Sequence, residues 1–161
     1  MKVRSLLIAG LMLVSLGTFA QNLDEQKVRT MVEKAPEQQL VVEASRMLQE
    51  DYYYFSEIVV DKLLTYQPNS SNYNYRKGFI QLYSASNFGE AIKHLEIAVQ
   101  KINNNYDMYS HKETGAPADA YYHLGKAYHW NEQLDKAAEY YNLFITNSKK
   151  KSELLPLAKL C

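Results

Sequence analysis

The sequence predicts an all-α protein built from about three tandem helix hairpins, and two observations support that prediction. The first is a pattern near the carboxyl end in which a glycine and an alanine, 12 residues apart, lie among large apolar side chains. The second is that weaker copies of the same pattern recur upstream. Small residues that face each other let two antiparallel helices approach closely, while the large residues fill the contact around them. One such hairpin cannot bury its apolar face alone, so stacked copies are expected.

The strongest copy is the stretch 118–151, ADAYYHLGKAYHWNEQLDKAAEYYNLFITNSKKK. Gly125 on the first helix and Ala137 on the second are the small residues of the pattern. The large residues expected to pack around them are Tyr121, Leu124, Tyr128, Tyr141 and Phe144.

Two upstream copies complete the series. In the second copy Gly78 lies 13 residues before Ala91, so one extra residue must be absorbed in the first helix or in the turn. The small position of the second helix is Ser56, Ala91 and Ala137 in the three copies, at intervals of 35 and 46 residues. The first interval is close to the period of about 34 residues of tetratricopeptide (TPR) repeats. The pattern therefore resembles a TPR-type helical-hairpin solenoid.

The predicted organisation follows from helix start and stop signals. Repeats are expected at 36–69, 71–103 and 118–151, with helices over about 36–49, 53–66, 71–84 and 88–102 in the first two. Residues 21–35 form a polar lead-in segment, either a short helix or loose chain, and 152–161 begin a truncated capping helix. The long loop 103–117 contains Tyr106, Met108 and Tyr109, and we expect it to fold back on the repeats.

Residues 1–20 have the features of a cleaved signal peptide. Lys2 and Arg4 precede an apolar run from Leu6 to Leu16, and the small residue Ala20 marks the cleavage position. The run is shorter than the roughly 20 residues of a membrane-spanning helix. We therefore expect export to the periplasm, with no direct membrane span after cleavage; an uncleaved membrane anchor is the alternative.

Charge and motif content exclude several functions. Without residues 1–20 the chain has 16 basic and 18 acidic side chains, so no nucleic-acid partner is expected. The single cysteine, Cys161, allows no internal disulfide. No catalytic motif, phosphate-binding loop or metal-ligand spacing is present, since His123 and His129 fall on different faces of one helix. The prediction is a non-enzymatic protein without cofactor, metal or small-molecule substrate.

A binding groove is expected along the first helix of each repeat, where TPR arrays hold peptides. Trp130 is either a binding anchor or packs against the following turn near Leu134. In the second repeat the extra residue leaves two registers open, with Tyr75 and Phe79 as the alternative to Arg76 and Ile80. The predicted groove residues are Gln38, Val41, Ser45, Leu48, Arg76, Ile80, Tyr83, Asp119, Tyr122, Lys126, His129 and Trp130.

A closer resemblance involves the signal peptide, the motif APADAYYHLGKAYHWNEQLDKAAEYYNLFI and the upstream segments YRKGF and FGEAIKHLEIAV. Together they resemble the amino-terminal TPR region of a family of Bacteroidetes envelope proteins. In that family the repeats precede a β-propeller and an OmpA-like peptidoglycan-binding domain, and some members are linked to type IX secretion and gliding. The resemblance covers residues 1–160. It implies a periplasmic adaptor, associated with the outer membrane through a partner, and does not imply peptidoglycan binding by this chain.

The predicted function is a protein–protein interaction scaffold in an envelope complex, whose partner is a protein or peptide. The alternative is a free-standing periplasmic chaperone or peptide-binding protein of loose specificity. Because the last predicted helix has only about two turns and little polar outer face, we expect the chain to be the amino-terminal part, or a truncated relative, of a longer protein.

Overall fold

The computed structural model describes residues 24–85, 87–148 and 152–160, and within these residues the protein is all-helical. The predicted signal peptide, residues 1–20, lies outside them. Within the same residues the only β-type pairing is an isolated parallel bridge between Ile102 and Ala116. The helices are α1 (Glu25–Lys34), α2 (Glu37–Gln49), α3 (Tyr53–Tyr66), α4 (Ser71–Ile80) followed by a π-helical turn (Gln81–Ala85), α5 (Phe88–Ala98), α6 (Asp119–Trp130), α7 (Leu134–Asn147) and α8 (Leu155–Ala158).

Six of these helices form three consecutive pairs. Helix α2 packs against α3, α4 against α5 and α6 against α7, while α3 with α4 and α5 with α6 join neighbouring pairs. The lead-in segment forms a helix, α1, whose first turn is capped by the Asp24 side chain accepting a hydrogen bond from the Gln26 amide at 2.9 Å. Among the described helices, none has the length and apolar character needed to cross a membrane.

The two helices of each pair approach closely at the small residues. A Cβ atom added at Gly125 would lie 2.9 Å from Cδ1 of Tyr141 and 3.2 Å from the Ala137 carbonyl oxygen. At Gly78 it would lie 2.6 Å from Cγ of Leu95. In the first pair the Ser56 hydroxyl donates to the Ala44 carbonyl across the same position at 3.2 Å.

The extra residue of the second copy is absorbed by the π-helical turn. A π-helical turn accommodates one more residue than an α-helical turn without ending the helix. Ile80, just before the turn, belongs to the apolar core of α1–α4, whereas Leu82 within it belongs to the core of α5–α8. These two residues, two apart along the chain, thus point to opposite sides of the helix and toward different cores.

The hairpin turns of the first and third pairs share one geometry. Asp51 and Glu132 have φ values of 59° and 60°, in the left-handed region. One residue later, the Tyr52 amide donates to the Met47 carbonyl at 2.8 Å and the Gln133 amide donates to the Tyr128 carbonyl at 2.9 Å. This arrangement ends both helices with a Schellman motif, in which glycine is the usual left-handed residue.

Glu132→Gly is expected to raise the free energy of unfolding by about 0.5–1 kcal/mol. The left-handed conformation is unfavourable for a residue with a Cβ, and this cost exceeds the extra backbone entropy that glycine loses on folding. Chemical denaturation measures the change. Glu139→Gly on the exposed side of α7 is the matched control and should lower the same free energy by about 1 kcal/mol, because glycine disfavours a helix interior. Equal losses at both positions would refute the strain at Glu132.

Helix α5 is shorter than predicted, since it ends at Ala98 and not near residue 102. The chain leaves the helix to close the base of the long loop. There the Asn103 amide donates to the Ala116 carbonyl and the Ala116 amide donates to the Lys101 carbonyl, each at 2.8 Å. Backbone pairing with the far end of the loop thus replaces the last predicted turn of the helix.

Candidate functional site

An aromatic stripe follows one face of α4 and its π-helical turn. Tyr75, Phe79 and Tyr83 succeed one another at intervals of four, the spacing that aligns side chains along a helix. Neighbouring ring centroids are 6.2 Å apart for Tyr75 and Phe79 and 4.7 Å apart for Phe79 and Tyr83. All three rings contact the imidazole of His123 on α6, at centroid distances of 5.9, 5.0 and 5.6 Å. The stripe therefore joins the second helix pair to the third.

Trp130 extends the stripe at its far end. Its ring lies 5.2 Å from Phe88 and 6.4 Å from Tyr83, yet 43% of the residue remains exposed. The ammonium group of Lys126 lies between the two stripe rings, 4.6 Å from the Tyr83 centroid and 4.4 Å from the Trp130 centroid. A cation at this distance from ring faces is attracted by their quadrupoles. This end of the stripe thus presents an aromatic surface that already holds a cation.

At the other end the stripe opens into a cavity of about 790 Å³, which we call the aromatic cavity. This volume lies within the range of small-molecule and peptide pockets, about 300–1,000 Å³. Its wall combines α4, the start of α6, the long loop and the segment before α8. The residues that determine its chemistry are Tyr75, Phe79, Tyr106, Asp119, His123 and Glu153.

His123 is held neutral in the wall of this cavity. It is 5% exposed, and burial, with a smaller contribution from the Lys126 charge, lowers the pKa of His123 to about 3. Its Nδ1 atom lies 3.1 Å from the Tyr83 hydroxyl. The imidazole is therefore an uncharged packing and hydrogen-bonding group near neutral pH.

The free energy of unfolding is expected to fall by about 1 kcal/mol between pH 6.5 and pH 5.5. The pKa of His123 is lowered in the folded protein from an ordinary value of 6.5, so on acidification only the unfolded chain takes up this proton. The loss begins near pH 6.5 and continues toward pH 3. Denaturant titrations over this range should show a reduced slope in His123→Gln, and His111→Gln in the exposed loop is the control. An unchanged slope in His123→Gln would contradict the assignment.

The long loop folds back on α2 and α4, as expected, and Arg76 holds it there. Arg76 is 1% exposed. Its guanidinium donates to Ser45 Oγ at 2.8 Å, to the Val41 carbonyl at 3.2 Å and to the carbonyl of Met108 in the loop. Ser45 Oγ also lies within hydrogen-bonding distance of the Met108 carbonyl. A buried cation is thus stabilised by oxygen dipoles of two helices and the loop.

Further contacts fix the loop along the same surface. The Tyr106 hydroxyl donates to Asn72 Oδ1 at 2.8 Å, and Nδ2 of Asn72 donates to the Glu113 carbonyl at 3.1 Å. The Tyr109 hydroxyl donates to the side chain of Gln49 at the end of α2. The loop therefore covers the face of α2 and α4 where the groove was expected.

Five of the predicted groove residues have buried side chains, some beneath the loop and some within the helix cores. The side chains of Val41, Ser45, Arg76, Ile80 and Tyr122 are buried and are not accessible to a partner in this structure. Positions 76 and 80 of α4 face the first core, because Arg76 reaches α2 and Ile80 packs with α1–α4. Tyr122 packs against Tyr141 and Phe144 of α7, at centroid distances of 5.7 and 5.6 Å.

Of the other seven predicted groove residues, four lie apart from one another and three come together. Gln38 is exposed and Leu48 half-buried, both on α2. Asp119 lines the aromatic cavity and His129 is exposed near Tyr141, with ring centroids 6.3 Å apart. Only Tyr83, Lys126 and Trp130 come together as one cluster.

The alternative register of α4, with Tyr75 and Phe79, is the one that the structure brings to the cavity. Tyr106 and His123 were not predicted as site residues. The four-residue spacing of Tyr75, Phe79 and Tyr83 is the sequence signal for this face. Nothing comparable in the sequence indicates that Tyr106 lies beside it.

One structural finding and two comparisons with known proteins bear on the assignment of this site. Among residues 24–85, 87–148 and 152–160 there is no group of three or more His, Cys, Asp or Glu side chains placed to hold a metal ion. No model of a known protein family matches the sequence, and no curated protein matches it either. The function of the chain is therefore inferred from its own geometry.

Proposed function

We propose that this chain is a TPR-type helical solenoid that acts as a non-enzymatic protein–protein interaction scaffold. Three features support the repeat assignment: the tandem helix pairs, the close contacts at equivalent small residues, and the matching turns at Asp51 and Glu132. Arrays of this kind form an extended concave surface from the first helix of each pair, and that surface binds peptides.

The observation that carries the proposal is that the chain's own long loop, an irregular segment, packs on this face. The Met108 carbonyl accepts a hydrogen bond from Arg76 and lies within reach of Ser45, while Tyr106 and Tyr109 donate to side chains of α4 and α2. An irregular peptide segment is thus bound through its backbone and its tyrosines. The adjoining stripe, from Tyr75 to Trp130, offers a partner protein aromatic rings together with the Lys126 ammonium group.

The proposed site of action is the periplasm, within an envelope complex of the secretion or gliding type. This part of the proposal depends on the signal-peptide features of residues 1–20 and on the resemblance of the repeats to envelope proteins. The partner is accordingly a protein or peptide of the cell envelope, and association with the outer membrane would be indirect.

Affinity capture with the tagged chain from the producing cells tests the proposal. We expect one stoichiometric envelope protein, which is lost when Lys126 and Trp130 are both changed to alanine. Helicity should be unchanged, because both residues lie at the surface end of the stripe. Leu134→Ala, at a residue that is 62% exposed at the start of α7, is the matched control and should retain the partner.

Two outcomes would contradict this function. Retention of the partner by the Lys126→Ala, Trp130→Ala variant would remove the stripe from the interaction. Capture of many unfolded proteins in place of one partner would favour the free-standing chaperone.

A further inference from the structure

The lining of the aromatic cavity contains two acidic side chains, for which the proposed scaffold function does not account. Asp119, at the start of α6, and Glu153, before α8, both line it. None of the described residues in its wall is a lysine or an arginine, and His123 is neutral. Burial raises the pKa of the Asp119 carboxyl, which shows that this group is partly desolvated. Within the described residues neither carboxylate has a hydrogen bond or ion pair.

The rings of the cavity suit a cation as well. Tyr75, Phe79 and Tyr106 present π-systems, with Tyr75 and Tyr106 arranged edge to face at a centroid distance of 6.0 Å. Ring faces attract ammonium and guanidinium groups, and more strongly where water is excluded. Arg76 directs its donors away from the cavity lining, to Val41, Ser45, Asn72 and Met108. It therefore does not fill the cavity.

The same stripe provides an internal precedent. At its far end the Lys126 ammonium lies over Tyr83 and Trp130, so a primary ammonium group is accommodated by these rings. The cavity end combines similar rings with two carboxylates and lacks a lysine of its own in the described wall. Charge complementarity therefore favours a cationic ligand at this end of the stripe.

We propose that the aromatic cavity binds a lysine or arginine side chain presented by a segment of the partner protein. The inference rests on the proposed scaffold function and specifies the chemistry of its ligand. The cation lies against Tyr75, Phe79 and Tyr106 and pairs with Asp119 and Glu153. The cavity has a total volume of about 790 Å³, and the part that the cation does not fill accommodates the flanking peptide.

Titration of the isotopically labelled chain, followed by backbone amide NMR signals, tests the inference. The probe is the peptide acetyl-Gly-Leu-Lys-Leu-Gly-amide, and its matched neutral form carries Nε-acetyllysine. We expect the lysine peptide to shift the signals of Tyr75, Phe79 and Asp119 and to bind about fivefold more tightly than the acetylated one. Asp119→Asn should remove most of that difference, while Glu139→Gln, which deletes an acid from the exposed side of α7, should retain it.

Equal binding of the two peptides would overturn the inference, since the cavity would then recognise apolar surface alone. Preference for a neutral disaccharide such as maltose, or the absence of any shift at these residues, would overturn it too. If the peptide titration fails while partner capture depends on Lys126 and Trp130, only the proposal of cation binding in the cavity is refuted. The proposed scaffold function itself would be refuted if the variant with alanine at both Lys126 and Trp130 still captured the partner.

Discussion

Gly125→Val is expected to lower the free energy of unfolding by about 3 kcal/mol. A Cβ at this position would lie 2.9 Å from the Tyr141 ring and 3.2 Å from the Ala137 carbonyl oxygen. Tyr141, a residue of α7, is 4% exposed and packs against Tyr122 of α6, so its ring cannot move aside without disturbing the pair. The Ala137 carbonyl is even less able to move, because it belongs to the backbone of α7. Denaturant unfolding followed by circular dichroism measures the loss.

Gly89→Val provides the matched control. Gly89 lies in the first turn of α5, where an added Cβ would meet nothing within 4 Å. Valine has a somewhat better helix propensity than glycine, so we expect a free energy of unfolding that is unchanged or slightly raised. A similar loss at both glycines would show that the close approach of α6 and α7 does not determine the cost.

Arg76→Ala is expected to lower the free energy of unfolding by about 3 kcal/mol and to release the long loop. The substitution removes every donor that Arg76 directs to Val41, Ser45, Asn72 and Met108, and leaves a cavity beneath the loop. Buried acceptors without donors retain their full desolvation cost. Limited trypsin digestion adds a local measurement, since the exposed Lys112 of the loop should become cleavable at lower protease concentrations.

Arg29→Ala is the control for this second prediction. Arg29 forms an exposed pair with Glu25 within α1, and exposed pairs contribute little to stability. Neither the unfolding midpoint nor the cleavage at Lys112 should change. If Arg76→Ala behaved in the same way, Arg76 would not be what holds the loop on α2 and α4.

Local spacing determined much of what the sequence could predict. Gly125 and Ala137 indicated a close helix contact because only small residues permit one, and the structure shows that contact. The bounds of α3 coincide with the predicted range 53–66, and α2 begins one residue after the predicted start at 36, because Pro36 caps the helix from outside. The extra residue between Gly78 and Ala91 required an irregularity, which the structure shows as a π-helical turn.

The site was harder to predict because it depends on contacts between distant segments. The Met108 carbonyl lies 32 residues from Arg76 and 63 from Ser45 along the chain, and no local pattern encodes that pairing. The loop was expected to fold back, but not to cover the groove. Whether Arg76 or Tyr75 faces the groove depends on where the helix accommodates the extra residue, and the sequence does not specify that position.

Site-specific photocrosslinking in the producing cells tests most directly the claim that this aromatic face binds a protein partner. A benzoylphenylalanine placed at Asn104, an exposed residue at the aromatic cavity, is compared with one at Glu139 on the exposed side of α7. The account predicts one discrete protein adduct from position 104 and none from position 139. An adduct from position 139 with none from position 104 would contradict it.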